Sequence, residues 1–551
     1  MKLYPRPGRR PRLGADLIFV GGAIGVGSAR RPHGTAVAVR NERIIAVGPQ
    51  EDVLELRDFA TEVVDLRGRM LLPGFQDAHV HPVFAGLDLL QCDLRSASSV
   101  ETYLETISRY ATEHPNEPWI LGGGWSMDVF PGGRPHAALL DAIVPDRPVY
   151  LTNREWHGAW VNSAAMALAG IDRHTRDPRH GRLERDHAGV PTGLLHESAG
   201  DLLSHLLPQH DATAYASALD LAQRHLHSLG ITAWQDAIVG DYLTRRSPLQ
   251  TYVDAADREQ LTARVVGALW WDRERGLDQV RELLRQRKDA QREHFRPRMV
   301  KMMLDGIVET RTASMLESYC GEHAPSPSSF FDPEQLALYV SELDRHGFSI
   351  HFHAVGDRAV REALDAVEAA RSSNGVNGNR HQIAHLDVVH PDDIARFGQL
   401  GVIANIQPLW ACHEPQTDEI KLPLLGPVRS TWSFPFEAIR AGGARLAAGS
   451  DWGVTSADPL AAIHVAVNRI RPDLAEEPFL PAQRLALADA VAAYTSGSAH
   501  ANGLDETGRI DTGQLADLVV LDHDLGAVLP GELAQVRVEQ TYVGGQRVYS
   551  A

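Results

Sequence analysis

The sequence predicts an α/β protein: a (β/α)8 TIM barrel with a small β-sandwich formed by both termini and a long insertion after the first barrel strand. Through the middle of the 551-residue chain, eight apolar strand-like runs alternate with segments of helical periodicity, which is the pattern of a parallel α/β barrel. Short β-like segments separated by turns occupy both ends of the chain. Residues 82–209 form a segment far longer than an ordinary barrel loop of about 2–6 residues.

The barrel prediction depends on eight apolar runs, each followed by a helix-like segment. The helix that follows the first strand, at 212–229, comes only after the insertion. The predicted strands cover residues 70–81, 231–236, 263–271, 298–305, 348–355, 381–388, 402–407 and 445–451. Eight parallel strands are the number that closes a barrel of this type.

The domain prediction follows from the same pattern. Residues 1–70 and 504–551 are expected to form one composite β-sandwich, and residues 71–503 the barrel. The insertion, at about 82–209, is rich in Trp, Gly and Pro, and excursions of this length are often lids or substrate-binding elements. We therefore expect the insertion to be an inserted substrate or lid subdomain.

Composition favours an enzyme that acts on a small molecule. Hydrophobic residues make up 44% and charged residues 23% of the chain, and no apolar run approaches the ~20 residues of a membrane span. The net charge is −17, with no basic cluster after the N-terminal stretch, so neither nucleic acid nor a membrane is an expected partner. A homodimer remains open.

Two further features bear on the cellular compartment. The start of the chain, 1–16, is basic but lacks the apolar region of a signal peptide, so a cytoplasmic location is expected. Three widely separated cysteines, Cys92, Cys320 and Cys412, make neither a disulfide framework nor a CxxC metal motif. We expect them to be buried as small apolar residues.

The first candidate for chemistry is the pair His79 and His81 at the end of an apolar strand. Residues i and i+2 project from the same face of a strand, so both imidazoles can bind one ion. Such pairs also occur by chance, and the motif alone does not decide. Other strand ends carry suitable residue types, namely Lys301, His353, His385 and Asp451. In a barrel these strand ends meet at one mouth, so a single metal site explains all of these residues. If they had only structural roles, each residue would need a separate explanation.

Lys301 is unusual because the chain contains only four lysines, at positions 2, 288, 301 and 421, against fifty arginines. It lies inside an apolar strand, where an exchangeable surface charge is a poor explanation. An unmodified ammonium ~4 Å from a dication would experience a repulsion of roughly 8 kcal/mol at an effective dielectric of ~20. Beside a metal, this lysine must therefore become an anion or point away.

Several motifs together resemble those of a known family. The run P-G-F-Q-D-A-H-V-H at 73–81 resembles the P-G-[FL]-x-D-x-H-x-H strand of the amidohydrolase superfamily, and the remaining motifs resemble its family 3 branch. Those motifs are W-V-N-S-A at 160–164, V-K…D-G…R-T-A between 300 and 313, H-A-V-G-D-R-A at 353–359, Q-P at 407–408, G-S-D at 449–451, Y-T-S-G-S-A at 494–499 and A-D-L-V-V-L at 516–521. The resemblance covers essentially the whole chain.

The resemblance implies a divalent-metal centre, with zinc as the expected metal and one or two ions per chain. His79 and His81 would bind the more buried ion, and Lys301 would bridge two ions as an N-carboxylated side chain. His353 and His385 would hold the second ion, and Asp451 would be both ligand and general base. The alternative is an unmodified Lys301 paired with Asp305 or Asp451 beside a single ion.

The function implied is hydrolysis of a C–N bond in an amide, formamide or N-acyl compound. A bound metal lowers the pKa of its water from 15.7 to about 7, which gives hydroxide at neutral pH, and Asp451 would move the proton to the leaving amine. Deamination, C–O hydrolysis or isomerisation on the same site are the alternatives. A catalytically inactive scaffold is a third, although every expected ligand is present.

Five residues are candidates for contact with the substrate. His157 falls where the branch usually reads D-G-H, but here Glu155 and Trp156 precede it. It is expected to be a catalytic oxyanion or substrate donor, or else to attach the insertion to the barrel. The other predicted contacts are Trp125, Gln407, Glu309 and Arg311, and the alternative for the last two is that they are solvated loop charges. A Trp-rich set indicates an aromatic or bulky acyl pocket, although core packing explains some of its members equally well. Its members are Trp119, Trp125, Trp156, Trp160 and Trp410.

Overall fold

The computed structural model describes residues 14–25, 35–243, 245–474 and 476–551. Most of the basic N-terminal stretch, and with it the prediction about a signal peptide, lies outside these residues. Within them, no helix has the length and apolar character needed to cross a membrane.

Eight parallel strands form the barrel, each hydrogen-bonded to the next in chain order. They are β1 (Phe75–Val80), β2 (Ile231–Val239), β3 (Arg264–Trp270), β4 (Phe295–Met303), β5 (Ser349–Ala354), β6 (Gln382–His385), β7 (Ile403–Ile406) and β8 (Leu446–Ala448). The backbone N–H of Asp451, just after β8, donates to the carbonyl of His79 in β1 at 2.7 Å. This contact brings the last strand end to the first, and the predicted fold class is confirmed.

The first predicted strand, 70–81, is in fact two strands that belong to different sheets. Met70–Pro73 pairs with Leu518–Leu521 of a terminal sheet, and Phe75–Val80 pairs with β2. Gly74 stands between them, where a Cβ atom would lie 2.3 Å from the side chain of Thr232. The apolar pattern is continuous across this glycine, which is why the sequence did not reveal the change of sheet.

Helices cover the outside of the barrel and contribute their apolar faces to its core. In Asp357–Asn374, for example, the buried alanines at 359, 363, 366 and 370 recur every three or four residues, which places them on one face of the helix. The principal helices that follow the eight strands in turn are Ala212–Ser228, Leu249–Asp257, Val280–Ala290, Pro333–Arg345, Asp357–Asn374, Pro391–Leu400, Phe436–Ala441 and Pro459–Asn468. Leu422–Arg429, Leu487–Ala492 and Ser498–Asn502 complete this layer.

The long insertion after β1 has a sheet of its own. Its six strands, in spatial order, are Gly181–Arg185, Pro191–Glu197, Gly158–Val161, Val149–Asn153, Ile120–Trp125 and Cys92–Asp93. Its helices are Pro82–Asp88, Val100–Glu113, Ala137–Asp141, Ser163–Leu168 and Asp201–Ser204. An apolar cluster of this sheet also includes Val355 and Val388, which follow β5 and β6. The insertion therefore packs on the mouth of the barrel.

Both ends of the chain contribute to a pair of packed sheets. One sheet contains Arg43–Gly48, Ala36–Arg40, Leu17–Val20 and Glu62–Asp65, and the other contains Ala23–Ile24, Met70–Pro73, Leu518–Leu521, Val538–Val543 and Gln546–Ser550. A short helix, Gln50–Leu54, lies between two strands of the first sheet. Phe19 of one sheet meets Tyr542 of the other edge-to-face at 5.1 Å. The composite sandwich is thus part of the fold, while the exact domain limits stay a prediction.

The cysteines differ in part from expectation. Cys92 and Cys412 are buried, but Cys320 is exposed. It follows a loop after β4, where no apolar neighbour is required, so the expectation of burial was wrong for this one residue.

Candidate metal centre

The mouth of the barrel brings six predicted ligands to one place. His79 lies in β1, Lys301 in β4, His353 in β5, His385 at the end of β6, His81 just after β1 and Asp451 just after β8. All six side chains are buried or nearly so. They converge because the carboxyl ends of parallel strands meet at one end of the barrel.

The Asp451 carboxylate is at the middle of this group. Its Oδ1 lies 3.0 Å from Nε2 of His81 and 3.3 Å from Nε2 of His79, and its Oδ2 lies 4.0 Å from Nδ1 of His385. The His353 ring is 4.3 Å from the His385 ring. Ligand atoms of His79, His81 and Asp451 all lie within 4.8 Å of one another. Imidazole nitrogens and a carboxylate oxygen at such separations fit a divalent metal.

Backbone geometry at two of these residues departs from the ordinary. His385 has a φ of 78° and Asp451 a φ of 58°, in the left-handed region that non-glycine residues seldom occupy. Two residues before Asp451, Gly449 is required, because a Cβ atom there would lie 2.5 Å from the backbone nitrogen of His79. Such strained positions cluster at functional sites, where the surrounding structure holds them.

The buried imidazoles are held in the form that binds metal. Burial lowers the pKa of His79, His353 and His385 well below the ordinary histidine value, so these rings are neutral at physiological pH. Burial would raise the pKa of Asp451, but its hydrogen bond with His81 and the neighbouring His385 hold that pKa well below its usual range. Neutral imidazole and ionised carboxylate are the ligating states.

Lys301 lies in β4 between Trp270 of β3 and His351 of β5 in the barrel register. Burial lowers the pKa of its amine to about 7. Among the described residues, no carboxylate forms an ion pair with it within 4.0 Å. Asp305 instead accepts backbone N–H bonds from Val355, Gly356 and Ser314. The structure therefore shows no ion pair of Lys301 with Asp305 or with Asp451, the two partners that the alternative with an unmodified lysine allowed.

A chain of polar side chains runs beneath the candidate ligands, inside the barrel. Nδ1 of His79 lies 2.8 Å from Nε2 of His351, and the other ring nitrogen of His351 contacts the amide of Gln235 in β2. Gln235 Oε1 accepts from Gln382 Nε2 at 2.9 Å. His79 is therefore oriented by a buried imidazole that is itself hydrogen-bonded.

The chain of polar side chains continues to a second candidate ligand, His385. Asn405 donates to Gln382 Oε1 at 2.7 Å and to the carbonyl of Ala78 at 2.8 Å. Gln407 donates to Asn405 at 2.9 Å and accepts the backbone N–H of His385 at 2.7 Å. One connected set of hydrogen bonds thus joins the His79 ring to the His385 backbone. The sequence prediction included Gln407 but missed His351, Gln235, Gln382 and Asn405.

His157 reaches the site from the insertion. Its Nδ1 lies 3.0 and 3.1 Å from the two carboxylate oxygens of Glu197, and its ring is 5.4 Å from that of His353. Burial would lower the pKa of His157, but the Glu197 carboxylate outweighs it and the pKa is raised. Glu197 also accepts from Thr312 at 2.7 Å, and its φ is 50°. Sequence reasoning missed Glu197, because nothing local connects it with His157.

The structure places only some of the predicted substrate contacts at the cavity. Glu309 lines the cavity beside His157, His385 and Asp451. Trp125 does not reach it: its ring packs in the insertion against Phe130 and Trp160, and its N–H donates to the Leu151 carbonyl at 2.9 Å. Arg311 pairs with Glu322 at 2.7 Å, away from the cavity. Gln407 is buried behind His385. For the last three, the structure indicates packing or positioning rather than substrate contact.

Other residues that were not singled out from the sequence also line this cavity. They are Glu155, Asp387 and Lys421, with Ile307, Val355 and Val454 as apolar neighbours; Trp410, from the predicted Trp-rich set, lines the cavity with them. Lys421 had a usable signal, since it is one of only four lysines. The others come from different loops, and only the fold brings them together.

Comparison with known proteins identifies the family. The family model described as the amidohydrolase family matches residues 62–549. Protein LONG AFTER FAR-RED 3 of Arabidopsis thaliana is 30% identical over 97% of this chain and 92% of its own length. N-substituted formamide deformylase of Arthrobacter pascens is 27% identical over 96% of this chain and 97% of its own length.

A solved structure agrees with this assignment. An uncharacterized metal-dependent hydrolase from Pyrococcus furiosus is 25% identical, with a TM-score of 0.69 over 92% of this chain and 99% of that one. The match by sequence covers the whole barrel, the insertion and the part of the terminal sandwich that lies within residues 62–549. The chain therefore belongs to the amidohydrolase family, and its chemistry is metal-dependent hydrolysis.

Proposed function

We propose that this enzyme hydrolyses the C–N bond of an amide, formamide or N-acyl compound. The observation that carries the proposal is the Asp451 carboxylate, which lies within 3.3 Å of two imidazoles at the mouth of the barrel. The similarity to N-substituted formamide deformylase along nearly the whole length of both chains supports the choice of bond. The residues that would hold the metal are His79, His81, Lys301, His353, His385 and Asp451.

Zinc is the proposed metal, since nitrogen ligands with a carboxylate are a common zinc donor set. One or two ions would be bound, and two would require Lys301 to be N-carboxylated. Only an uncharged amine reacts with carbon dioxide, and a pKa of about 7 leaves Lys301 partly uncharged at neutral pH. When bound, the metal would lower the pKa of water and polarise the substrate carbonyl.

Asp451 is the proposed general base. Its pKa lies well below the usual carboxyl range, so it is ionised and ready to accept a proton from the attacking water. It would then deliver that proton to the nitrogen of the leaving amine, which could not otherwise depart as a neutral molecule. The Asp451 carboxylate would therefore carry out both proton transfers without changing its position.

His157 is the proposed donor toward the carbonyl oxygen of the substrate. Glu197 occupies its Nδ1, which leaves Nε2 as the nitrogen that serves the cavity. A fixed donor aimed at the developing negative charge stabilises the transition state more than the ground state. Glu197 would be a positioning residue, since it acts through His157.

A screen of N-formyl, N-acetyl and N-acyl-amino-acid compounds tests this function. The zinc-loaded enzyme should release a free amine and a carboxylate, which amine derivatisation and chromatography detect separately from ammonia. Release of ammonia from an amino-substituted compound, with no amine from any amide, would instead support deamination. Turnover of esters or lactones alone would support C–O hydrolysis.

A further inference from the structure

One wall of the cavity, formed by loops that follow barrel strands, carries buried charges that the hydrolytic steps do not use. Nζ of Lys421 lies 2.7 Å from Oδ2 of Asp387 and 3.1 Å from Oε1 of Glu309. The Lys421 side chain is 1% exposed. All three residues line the cavity together with His385 and Asp451. One ammonium is therefore shared by two buried carboxylates beside the proposed metal centre.

A second cation, Arg154, lies in the neighbouring wall and also contacts two carboxyl groups. Nε of Arg154 lies 3.1 Å from Oε1 of Glu155, and its Nη2 lies 3.8 Å from Oε2 of Glu414. Glu155 lines the cavity as well. Two cations thus stand among four carboxyl groups in this part of the site.

Two carboxylate oxygens in this wall have hydrogen-bonding capacity to spare. Lys421 contacts one oxygen each of Asp387 and Glu309, whose side chains are 13% and 4% exposed. In the part of the chain that the structure describes, no hydrogen bond reaches Oδ1 of Asp387 or Oε2 of Glu309. Both side chains line the cavity and neither oxygen is fully buried, so each can accept hydrogen bonds from water or from a molecule bound there. A bound ligand with N–H groups would supply them.

Lys421 is itself held in place. It ends a π-helical turn, Gln416–Lys421, a feature frequent at functional sites. Its ammonium lies 5.0 Å from the ring centre of Phe434 and 5.8 Å from that of Trp410. Burial would lower its pKa, but Asp387 and Glu309 outweigh this and raise it. Lys421 is therefore a charged residue already engaged by two carboxylates, and not a free cation for an anionic substrate.

We propose that this wall selects substrates with a protonated amine, or a similarly donor-rich cationic group, joined to the amide by a short aliphatic spacer. Glu309 and Asp387 would bind the cation, and Ile307, Val355 and Val454 would contact the spacer. Anionic substrates such as N-acyl amino acids would be disfavoured. The inference rests on the proposed function, because it names the substrate class of the same site.

Binding of uncleavable analogues tests the wall independently of turnover. In three methyl ketones a methylene replaces the scissile N–H, and a chain of five methylenes ends in an ammonium, a methyl or a carboxylate group. Isothermal titration calorimetry with the zinc-loaded enzyme should give the ammonium ketone the lowest Kd, by about tenfold or more over the methyl ketone. Equal affinities, or tighter binding of the carboxylate ketone, would overturn the proposal.

Substitution locates the effect. Glu309→Gln should reduce the preference for the ammonium ketone to about threefold or less, without loss of bound metal. Asp393→Asn is the matched control, since Asp393 is also buried and ion-paired, with Arg361 and Arg396, but lies in a helix outside the cavity. It should keep the wild-type preference. The melting temperature of each variant shows whether the fold is intact. Asp387→Asn is a second substitution in the same wall for the same binding measurement.

The corresponding amides separate this inference from the proposed function. If the ammonium ketone binds best and the ammonium-bearing amide has the highest kcat/KM, both stand. If that ketone binds best but no amide is cleaved, the proposed C–N hydrolysis fails while the charge selection stands. If the methyl-bearing or carboxylate-bearing amide is cleaved best, the inference fails while C–N hydrolysis stands.

Discussion

A buried carboxyl group ordinarily takes up a proton, because burial penalises its charged form. Asp451 does the opposite, since a hydrogen bond with His81 and the nearby His385 keep its pKa low. Its left-handed backbone and the glycine two residues earlier place it against β1. At the scale of single residues, its charge and its position thus have separate structural causes.

Asp451→Asn tests the proposed proton transfer. Asparagine keeps an oxygen that can contact a metal, but it cannot accept and return a proton. We expect bound zinc to be largely retained and kcat to fall by ~10²–10⁴-fold. Steady-state kinetics and elemental analysis of the same preparation measure both quantities. Near-normal kcat would remove Asp451 as the base.

The polar chain inside the barrel makes a prediction about metal affinity. Gln235→Leu removes the amide that contacts His351, and His351 in turn contacts His79. Losing such a supporting contact typically weakens metal binding by ~10–100-fold. Competition of the variant against a chromogenic zinc chelator measures this affinity, with Gln260→Leu as the surface control. Wild-type affinity would show that the chain does not position His79.

At the scale of elements, the insertion covers the barrel mouth and also contributes side chains to the site. Two of its segments, around His157 and at the end of Pro191–Glu197, are neighbours in the insertion sheet and meet at the barrel mouth. There the Glu197 N–H donates to the His157 carbonyl, and the two side chains form an ion pair. They bring the His157 imidazole, whose pKa the Glu197 carboxylate raises, against His353. If the insertion supplied only closure, its charged residues would not need to point at the site.

Glu197→Gln tests this view. The amide still offers a hydrogen bond to His157, but it no longer stabilises a positive imidazole. We expect kcat to fall by about tenfold or more while KM changes little, because the interaction strengthens in the transition state. His157→Ala should lower kcat at least as much. A change in KM alone would indicate that the pair merely shapes the cavity.

The outer helices contain a buried carboxylate that links consecutive elements. Asp344, in helix Pro333–Arg345, accepts from His381 at 3.0 Å and from Asn374, Asn377 and Asn379. Burial would raise its pKa, but these hydrogen bonds outweigh burial and lower the pKa below the ordinary aspartate range. The carboxylate thus joins the end of one helix to the loop after the next.

Asp344→Asn should lower the free energy of unfolding by about 2 kcal/mol at neutral pH. Because the folded pKa is depressed, the wild-type contribution is present above the unfolded pKa of ~3.9 and is lost as the pH falls toward the folded pKa. The difference between variant and wild type should therefore shrink below about pH 4. Urea unfolding at several pH values measures it. A difference independent of pH would contradict this account.

At the scale of the whole molecule, local patterns predicted the barrel because apolar runs and helical periodicity reflect burial directly. They also predicted the six candidate ligands, because the carboxyl ends of the strands in a barrel meet at one mouth. Patterns failed where position depends on packing between distant segments. Met70–Pro73 joins the terminal sheet across Gly74, Glu197 reaches His157 from another strand, and Lys421 meets Glu309 only in the folded chain.

The central claim is that six side chains at one barrel mouth hold a divalent metal that hydrolysis requires. The most direct measurement is zinc per chain together with amide hydrolysis, before and after removal of metal by a chelator. We predict one or two zinc ions per chain, loss of hydrolysis on their removal, and recovery in proportion to zinc restored. A metal-free enzyme that retains full activity would contradict the claim.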